Sequence, residues 1–195
     1  MNAWQARLAV RALRRGGLVL HATEGVWGLA CDPWNPRAVE CLLRAKGRPA
    51  DKGLIVIGAA STCFASELAG LDAGARARIE ASWPGPVTWT VPNRRFPPWI
   101  TGARDTVAVR VPAHPQARAL CRAFRGPLVS SSANRAGRPP ARRRLAARAL
   151  LQDLRRTGAV TARAADVYML PGETLGRRGP SEIRTAAGVP VRKAP

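Results

Sequence analysis

The sequence predicts one α/β domain over residues 1–195, built on a mixed β-sheet. Three observations support this: short apolar runs typical of buried strands alternate with helical segments, internal repeats and long linkers are absent, and 195 residues can bury a substantial core. Several connections between strands are too short for a helical crossover, which favours a mixed over a purely parallel sheet. A hydrophobic content of 46% argues against a disordered chain.

The N-terminal elements are predicted in the order helix, strand, loop, helix. Apolar residues recur at helical spacing from Trp4 until Gly16-Gly17 ends the segment, and the apolar run 18–21 predicts a buried strand. A Thr-Glu-Gly turn follows this strand. Asn35 followed by Pro36 is typical of an N-cap and a first helical turn, and the helix that begins there reaches about Lys46.

The remaining elements are predicted from apolar runs for strands and from capped apolar faces for helices. A loop at 94–105, with two prolines and three arginines, separates two of the strands. In chain order we expect a strand at 54–57, a helix at 72–79 capped by Asp72, strands at 87–91 and 106–111, a helix at 114–124, a strand at 128–129 that opens into a serine-rich loop, a basic helix at about 142–156, and short strands at 166–170, 182–184 and 189–192.

The charge balance predicts an anion-binding surface. The chain has 32 Lys and Arg residues against 12 Asp and Glu, which gives a formal net charge of +20. Net charge determines solubility and non-specific binding more than it determines fold. Two explanations therefore stay open: the coding bias of a GC-rich gene, and a polyanionic partner such as tRNA.

The cysteines and histidines show no metal-ligand spacing, so we expect neither a zinc site nor a disulfide framework. Arginines interrupt the first fifteen residues, and no later run approaches the ~18 apolar residues of a membrane span. These features predict a cytoplasmic protein that contacts no membrane.

The first candidate site is a cationic loop at the end of the second predicted helix. It carries Lys46, Arg48 and Lys52 within seven residues, and we expect all three to be exposed. Such cations can hold phosphate oxygens in a chain that lacks the usual glycine-rich phosphate motifs. Alternatively they cap the helix, because cations stabilise helix C-termini.

The second candidate is the run Ser130-Ser131-Ser132-Ala133-Asn134. A strand that opens into a hydroxyl-rich loop offers backbone N–H groups, three hydroxyls and an amide to phosphate or carboxylate oxygens. The alternative is a turn whose side chains satisfy their own backbone. A serine nucleophile is disfavoured, because there is no GxSxG elbow and the sequence places neither His21 nor His114 as its base.

A third candidate lies on the strand at 106–111. Thr106, Ala108 and Arg110 share one face of a strand with period two, so a hydroxyl and a cation project together. Arg110 could instead pair with a surface carboxylate. The run PSEIR at 180–184 repeats the pattern of a hydroxyl that enters a short strand.

Six segments, taken in chain order over about 18–192, resemble the YrdC family in its short bacterial TsaC-type form. They read HATEGVWGLACDP, KGRPADKGLIVI, SWPGPVTWTV, DTVAVRVP, PLVSSSANRAG and PSEIR. The resemblance implies a YrdC-like fold, a twisted mixed sheet flanked by helices around a basic cavity. It also implies a nucleotidyltransferase reaction that forms threonylcarbamoyl-AMP and pyrophosphate from L-threonine, bicarbonate and ATP, for the threonylcarbamoyladenosine modification of tRNA.

The resemblance also implies site residues. The family's KxR pair falls on Lys46 and Arg48, and its SxN pair falls on Ser132 and Asn134, which we expect to be catalytic. The family's common YPTE reads HATE here and is followed by Gly25, and Ile57 stands where some members have a histidine that contacts threonine. The implied ATP contacts are Arg48, Lys52, Thr106, Ser132 and Arg192, and the implied threonine contacts are Thr23, Arg110, Ser130 and Ser181.

The residues and the resemblance together predict catalysis by positioning and charge stabilisation. Lys46, Arg48, Lys52 and Arg110 would offset the repulsion among ATP, bicarbonate and the threonine carboxylate. Mg²⁺ would enter with ATP and not in a protein cage. The product would reach tRNA directly or through a downstream threonylcarbamoyl transferase complex. The alternative functions are a non-catalytic RNA-binding maturation factor and, more weakly, a hydrolase that uses one of Ser130–Ser132.

Overall fold

A nine-stranded mixed sheet organises residues 1–160 and 167–193, which are the residues that the computed structural model describes. Two short 3-10 helices, Ala50–Lys52 and Ser61–Phe64, join larger elements. The helices are α1 (Ala3–Arg14), α2 (Pro36–Lys46), α3 (Ala65–Leu68), α4 (Ala73–Ala81), α5 (Pro98–Thr101), α6 (Pro115–Phe124) and α7 (Arg144–Arg156). The strands are β1 (Val19–Ala22), β2 (Trp27–Cys31), β3 (Ile55–Ile57), β4 (Val87–Pro92), β5 (Thr106–Arg110), β6 (Leu128–Ser132), β7 (Tyr168–Met169), β8 (Glu182–Thr185) and β9 (Pro190–Arg192).

The strands lie in the order β7-β1-β2-β6-β3-β5-β4-β8-β9. Three neighbouring pairs are parallel, namely β1 with β7, β3 with β5 and β4 with β8. The other five pairs are antiparallel. The predicted mixed α/β architecture is therefore confirmed.

Capping residues define the ends of the first two helices, and the cap predicted at Asn35 is confirmed. The Asn2 side chain accepts the Gln5 backbone N–H at the start of α1, and the Gln5 side-chain oxygen accepts the Asn2 backbone N–H. Asn35 accepts the Ala38 N–H at the start of α2. Gly47, with φ 58°, ends α2 in the left-handed region that favours glycine.

The two faces of the sheet pack against different helices. On one face, Leu13 of α1 and Leu120 of α6 share a core with Leu128 of β6. On the other face, a larger core includes Leu42 of α2 and Leu151 of α7. Burial on both faces explains why β1, β2 and β3 read as short runs without polar alternation.

Strand β2 was not predicted, so the opening order is helix, strand, strand, helix. Its sequence WGLAC is buried throughout and shows no alternation, and its internal glycine weakens the strand signal. The turn at residues 23–26 joins β1 and β2 as an antiparallel hairpin. The loop predicted at 94–105 also contains a short helix, α5.

The prediction of a serine-rich loop after residue 129 is also wrong. Ser130, Ser131 and Ser132 belong to β6 and pair with Ala30, Leu29 and Gly28 of β2. Pairing with β2 engages their backbone on one side only, since β6 pairs with β3 only at Leu128 and Val129, and the three serines therefore form the end of a strand and not a loop. In the strand predicted at 166–170, residue 166 lies outside the described residues, and 168–169 form β7. Within 1–160 and 167–193, no helix is both long and apolar enough to cross a bilayer.

Candidate active site

A cavity of about 240 Å³ opens on the same face of the sheet as α1 and α6. Thr106, Ala108 and Arg110 all line it, so the face that their spacing predicts is the one that borders the cavity. Ser130 and Ser132 of β6 line it as well. The central strands therefore present hydroxyls and a cation to one enclosed volume.

The cavity wall contains nine of the eleven residues predicted for the site. It also contains Arg104, whose Nη1 donates to the Asp51 carbonyl at 2.8 Å. The sequence did not single out Arg104, because nothing distinguishes it from the many other arginines. Among the described lining residues, every charged side chain is a cation. The nine predicted residues on the wall are Thr23, Arg48, Lys52, Thr106, Arg110, Ser130, Ser132, Ser181 and Arg192.

The other two predicted residues, Lys46 and Asn134, lie behind the wall. The Lys46 ammonium donates to the Ser132 carbonyl, to the Asn134 carbonyl at 3.1 Å and to Asn134 Oδ1 at 3.2 Å. Ser132 Oγ also donates to Asn134 Oδ1, at 2.6 Å. The structure thus brings three residues of the KxR and SxN motifs into one network, although they come from α2 and from the end of β6.

Lys46 is only 3% exposed, so the expectation that it belongs to an exposed loop is wrong. Burial, with repulsion from Arg48, lowers its pKa to about 8, which still leaves an ammonium at neutral pH. Its three N–H groups match the three oxygens that surround them. Lys46 therefore anchors the segment after β6 against the end of α2.

Arg48 is placed differently from Lys46. It is partly buried on the cavity wall, and its Nη2 donates to the Gly53 carbonyl at 2.9 Å. Burial and the neighbouring Arg104 lower the pKa of Arg48, and burial with Arg48 and Arg110 lowers the pKa of Arg192. Cations that repel one another across a cavity gain free energy when an anion binds between them.

Arg110 forms a buried ion pair with Glu24, which lies in the turn between β1 and β2. The other Glu24 oxygen accepts the Ala113 N–H at 2.6 Å, and Arg110 Nε donates to the Gly85 carbonyl at 3.0 Å. The alternative of a surface carboxylate partner for Arg110 is wrong, because Glu24 is itself buried. Arg110 has five N–H donors, so this pairing leaves others for a ligand.

The segment before β8 closes against the same turn. A Cβ on Gly25 would collide with the Gly179 carbonyl oxygen, and the Arg177 N–H donates to the Glu24 carbonyl. Glycine is therefore required at this position of the turn. The contact brings Ser181 onto the cavity wall, where its Oγ lies 2.8 Å from Thr88 Oγ1.

His21 lies beside Ser130, although the sequence placed neither histidine as the base of a serine nucleophile. Its Nε2 is 3.0 Å from Ser130 Oγ. Complete burial is the main reason that the pKa of His21 falls to about 4. An imidazole so reluctant to accept a proton is a weak general base, which still argues against the hydrolase alternative.

We expect the His21 environment to make the fold acid-sensitive. Between pH 6.5 and about 4 the unfolded chain binds a proton that the folded protein does not, so stability falls as pH falls through this window. The hydrogen bond to the Ala22 carbonyl and the Glu24 carboxylate oppose this lowering of the His21 pKa, whereas His114 and Arg110 reinforce it. Between pH 7 and 5 the free energy of unfolding, measured with urea, should fall by about 2 kcal/mol more in the native chain than in His21→Phe. Equal losses in the two proteins would contradict this assignment.

A family model named Sua5/yciO/yrdC, with the description telomere recombination, matches residues 11–187. The chain belongs to the Sua5/YciO/YrdC family. A relative from Nitrosococcus oceani, named threonylcarbamoyl-AMP synthase, is 50% identical over 182 residues, which cover 93% of this chain and 92% of that protein. A relative of the same name from Pseudomonas aeruginosa is 44% identical over 185 residues, which cover 94% of each protein.

Solved structures of Sua5/YciO/YrdC proteins share the fold. P. abyssi Sua5 complexed with L-threonine superposes with a TM-score of 0.80 at 32% identity, covering 95% of this chain and 52% of that one. The present chain thus spans about half the length of that Sua5 protein. E. coli YciO, at 22% identity, matches with a TM-score of 0.75 over 97% of this chain and 90% of its own, and supports the fold alone.

Proposed function

We propose that this Sua5/YciO/YrdC chain is a threonylcarbamoyl-AMP synthase, a nucleotidyltransferase that uses L-threonine, bicarbonate and ATP. The observation that carries the proposal is the meeting of Lys46, Ser132 and Asn134 directly behind a cavity wall that contains Arg48. All three substrates are anionic or carry a carboxylate, which suits a wall whose charged groups are cations. The names of the most similar relatives agree with this function.

The wall divides into two parts with different chemistry. Arg48, Lys52 and Arg192 form a cationic group that we assign to the ATP phosphates, with Thr106 and Ser132 as hydroxyl partners. Arg110, Ser130 and Ser181 lie toward the turn at residues 23–26 and are assigned to threonine, with Thr23 at the edge. The Thr23 hydroxyl donates to the Val26 carbonyl at 2.7 Å, so its role is to hold the turn that carries Glu24.

The reaction then needs positioning more than acid or base catalysis. The threonine ammonium first releases a proton to solvent, and the free amine then bonds to the carboxyl carbon of bicarbonate with loss of water. The resulting carbamate oxygen attacks the α-phosphorus. The bond from the α-phosphorus to the bridging oxygen breaks, and pyrophosphate leaves. Arg48 and Lys52 stabilise the charge that develops on the phosphates, and the Lys46 network fixes the Ser132 hydroxyl beside them.

Magnesium enters this scheme as part of the ATP substrate. Mg²⁺ prefers oxygen ligands and commonly binds through substrate phosphates. The charged groups on the described wall are cations, so the phosphates themselves supply its anionic ligands.

The proposed reaction makes a direct prediction. Purified protein should release pyrophosphate from ATP only when L-threonine and bicarbonate are both present, because the attacking carbamate requires both. The measurement is coupled pyrophosphate detection, with each substrate omitted in turn. Equal release without threonine would contradict the proposed reaction while leaving ATP binding intact.

The same measurement tests the RNA-binding alternative. A non-catalytic maturation factor would retain RNA with steep salt dependence and release no pyrophosphate.

Delivery of the product to tRNA, directly or through a transferase complex, is part of our proposal and is supported by exposed Arg142, Arg143 and Arg144 at the start of α7.

A further inference from the structure

A buried histidine reaches the cavity wall across an intervening strand. His21 on β1 contacts Ser130 on β6, although β2 lies between these strands. Gly28 of β2 makes the contact possible, because a Cβ at this position would lie 3.0 Å from both His21 Nε2 and Ser130 Oγ. The hydrogen bond therefore depends on a missing side chain in the strand between its partners.

The surrounding groups fix which atom donates in this bond. His21 Nδ1 lies 3.2 Å from the Ala22 carbonyl oxygen, which can only accept, so Nδ1 carries the hydrogen. The fully buried imidazole is neutral, since burial holds its pKa near 4. A neutral imidazole has one N–H, and Nε2 therefore presents a lone pair. Ser130 must donate its hydroxyl proton to Nε2.

This direction determines what Ser130 offers to the cavity. A serine hydroxyl has a single O–H, and once that proton is directed to His21 only acceptor lone pairs remain. Arg110, on the other side of β3, offers only N–H donors. The two residues together match an amino acid zwitterion, with its carboxylate toward Arg110 and its ammonium toward Ser130.

We propose that His21 is a positioning residue that makes Ser130 an obligate hydrogen-bond acceptor, and that Ser130 accepts an N–H of the threonine amine. The inference rests on the proposed function and deepens it. A freely rotating serine could also donate to the carboxylate, so by itself it would not distinguish the two ends of the amino acid. The nitrogen keeps one N–H after it bonds to the carboxyl carbon, so the same contact holds the carbamate.

The first test measures the hydrogen position without any substrate. Multiple-bond ¹H–¹⁵N correlation spectra of the labelled protein at pH 7 distinguish the two neutral tautomers and the imidazolium ion. We expect His21 to show a protonated Nδ1 and a pyridine-type Nε2. A protonated Nε2, in either the neutral or the charged ring, would overturn the proposal.

The second test is a double-mutant cycle read by calorimetric titration with L-threonine. His21→Phe and Gly28→Ala should each weaken binding about fivefold and Ser130→Ala about tenfold, as expected for loss of an aligned hydrogen bond to a charged group. His21→Phe should add no further loss to Ser130→Ala, because His21 acts through that hydroxyl. A full additional loss in the double variant would show a merely structural role and overturn the proposal.

The third test identifies the donor on the ligand. L-2-aminobutanoate keeps the amine of threonine and lacks its hydroxyl, so its binding should fall in His21→Phe by the same factor as that of threonine. Insensitivity of this analogue would assign the contact to the threonine hydroxyl and contradict our assignment. A native chain that binds no threonine at all would instead overturn the proposed function. Threonine binding that is indifferent to His21→Phe would overturn only the present inference.

Discussion

Replacement of Arg110 with alanine is expected to weaken threonine binding by about thirtyfold and to lower the free energy of unfolding by about 3 kcal/mol. The first effect follows from loss of a charge-assisted contact to the substrate carboxylate. The second follows because Glu24 would remain buried without its cation. Calorimetric titration with L-threonine and urea unfolding measure the two effects separately.

Two control variants separate these effects. Glu24→Gln also breaks the ion pair and should destabilise the fold, but it keeps the Arg110 cation and so should retain most of the threonine affinity. Replacing Arg142, Arg143 and Arg144 together with alanine removes three exposed cations and should leave threonine binding unchanged. If this triple variant lost threonine binding and Arg110→Ala did not, the assignment of the threonine pocket would be wrong.

Lys46→Ala and Arg48→Ala are expected to differ sharply, although the two residues are only two positions apart. Both should lower synthesis at least about tenfold, which corresponds to about 1.4 kcal/mol of transition-state stabilisation. Lys46→Ala should also lower the free energy of unfolding by about 2 kcal/mol, because it leaves the Asn134 carbonyl without this donor and removes one of two donors from the Ser132 carbonyl and from Asn134 Oδ1. Arg48→Ala, at a partly exposed position, should cost about 0.5 kcal/mol.

Initial rates of pyrophosphate release and urea unfolding of both variants test this contrast. Lys46→Met serves as a matched control, because it keeps an unbranched apolar stem and removes only the ammonium. It should lose stability and activity as Lys46→Ala does. Near-normal turnover in both Lys46→Ala and Arg48→Ala would mean that this segment serves only as a helix cap.

The fold was predictable where signals are local. Asn35, Pro36 and Gly47 define both ends of α2 within the sequence itself, and the period of β5 identifies the face of Arg110 that borders the cavity. Strand β2 was not predictable, because a buried strand with a glycine shows neither alternation nor strong strand propensity.

Much of the site depends on distant residues and could not be derived from local patterns. A lysine at the end of a helix normally faces solvent, and the oxygens that bury Lys46 come from residues 86 and 88 positions away. His21 and Ser130 are separated by 109 positions, and their contact depends on the bare backbone of Gly28. Resemblance to a family indicated Ser132 and Asn134 as a pair, but only the folded structure shows that Lys46 joins them from behind the wall.

The strand order has a consequence for how the chain folds during synthesis. β1 pairs with β7 across about 150 residues, and β4 pairs with β8 across about 95. While the chain is still emerging from the ribosome, β1 and β4 therefore stay as open edges, and such edges invite wrong pairing until late strands cover them. Such non-local pairing also makes folding slow. Ser181 and Arg192 arrive with these late strands, so a nascent chain possesses the Lys46 network and most of the cavity wall before the wall is complete.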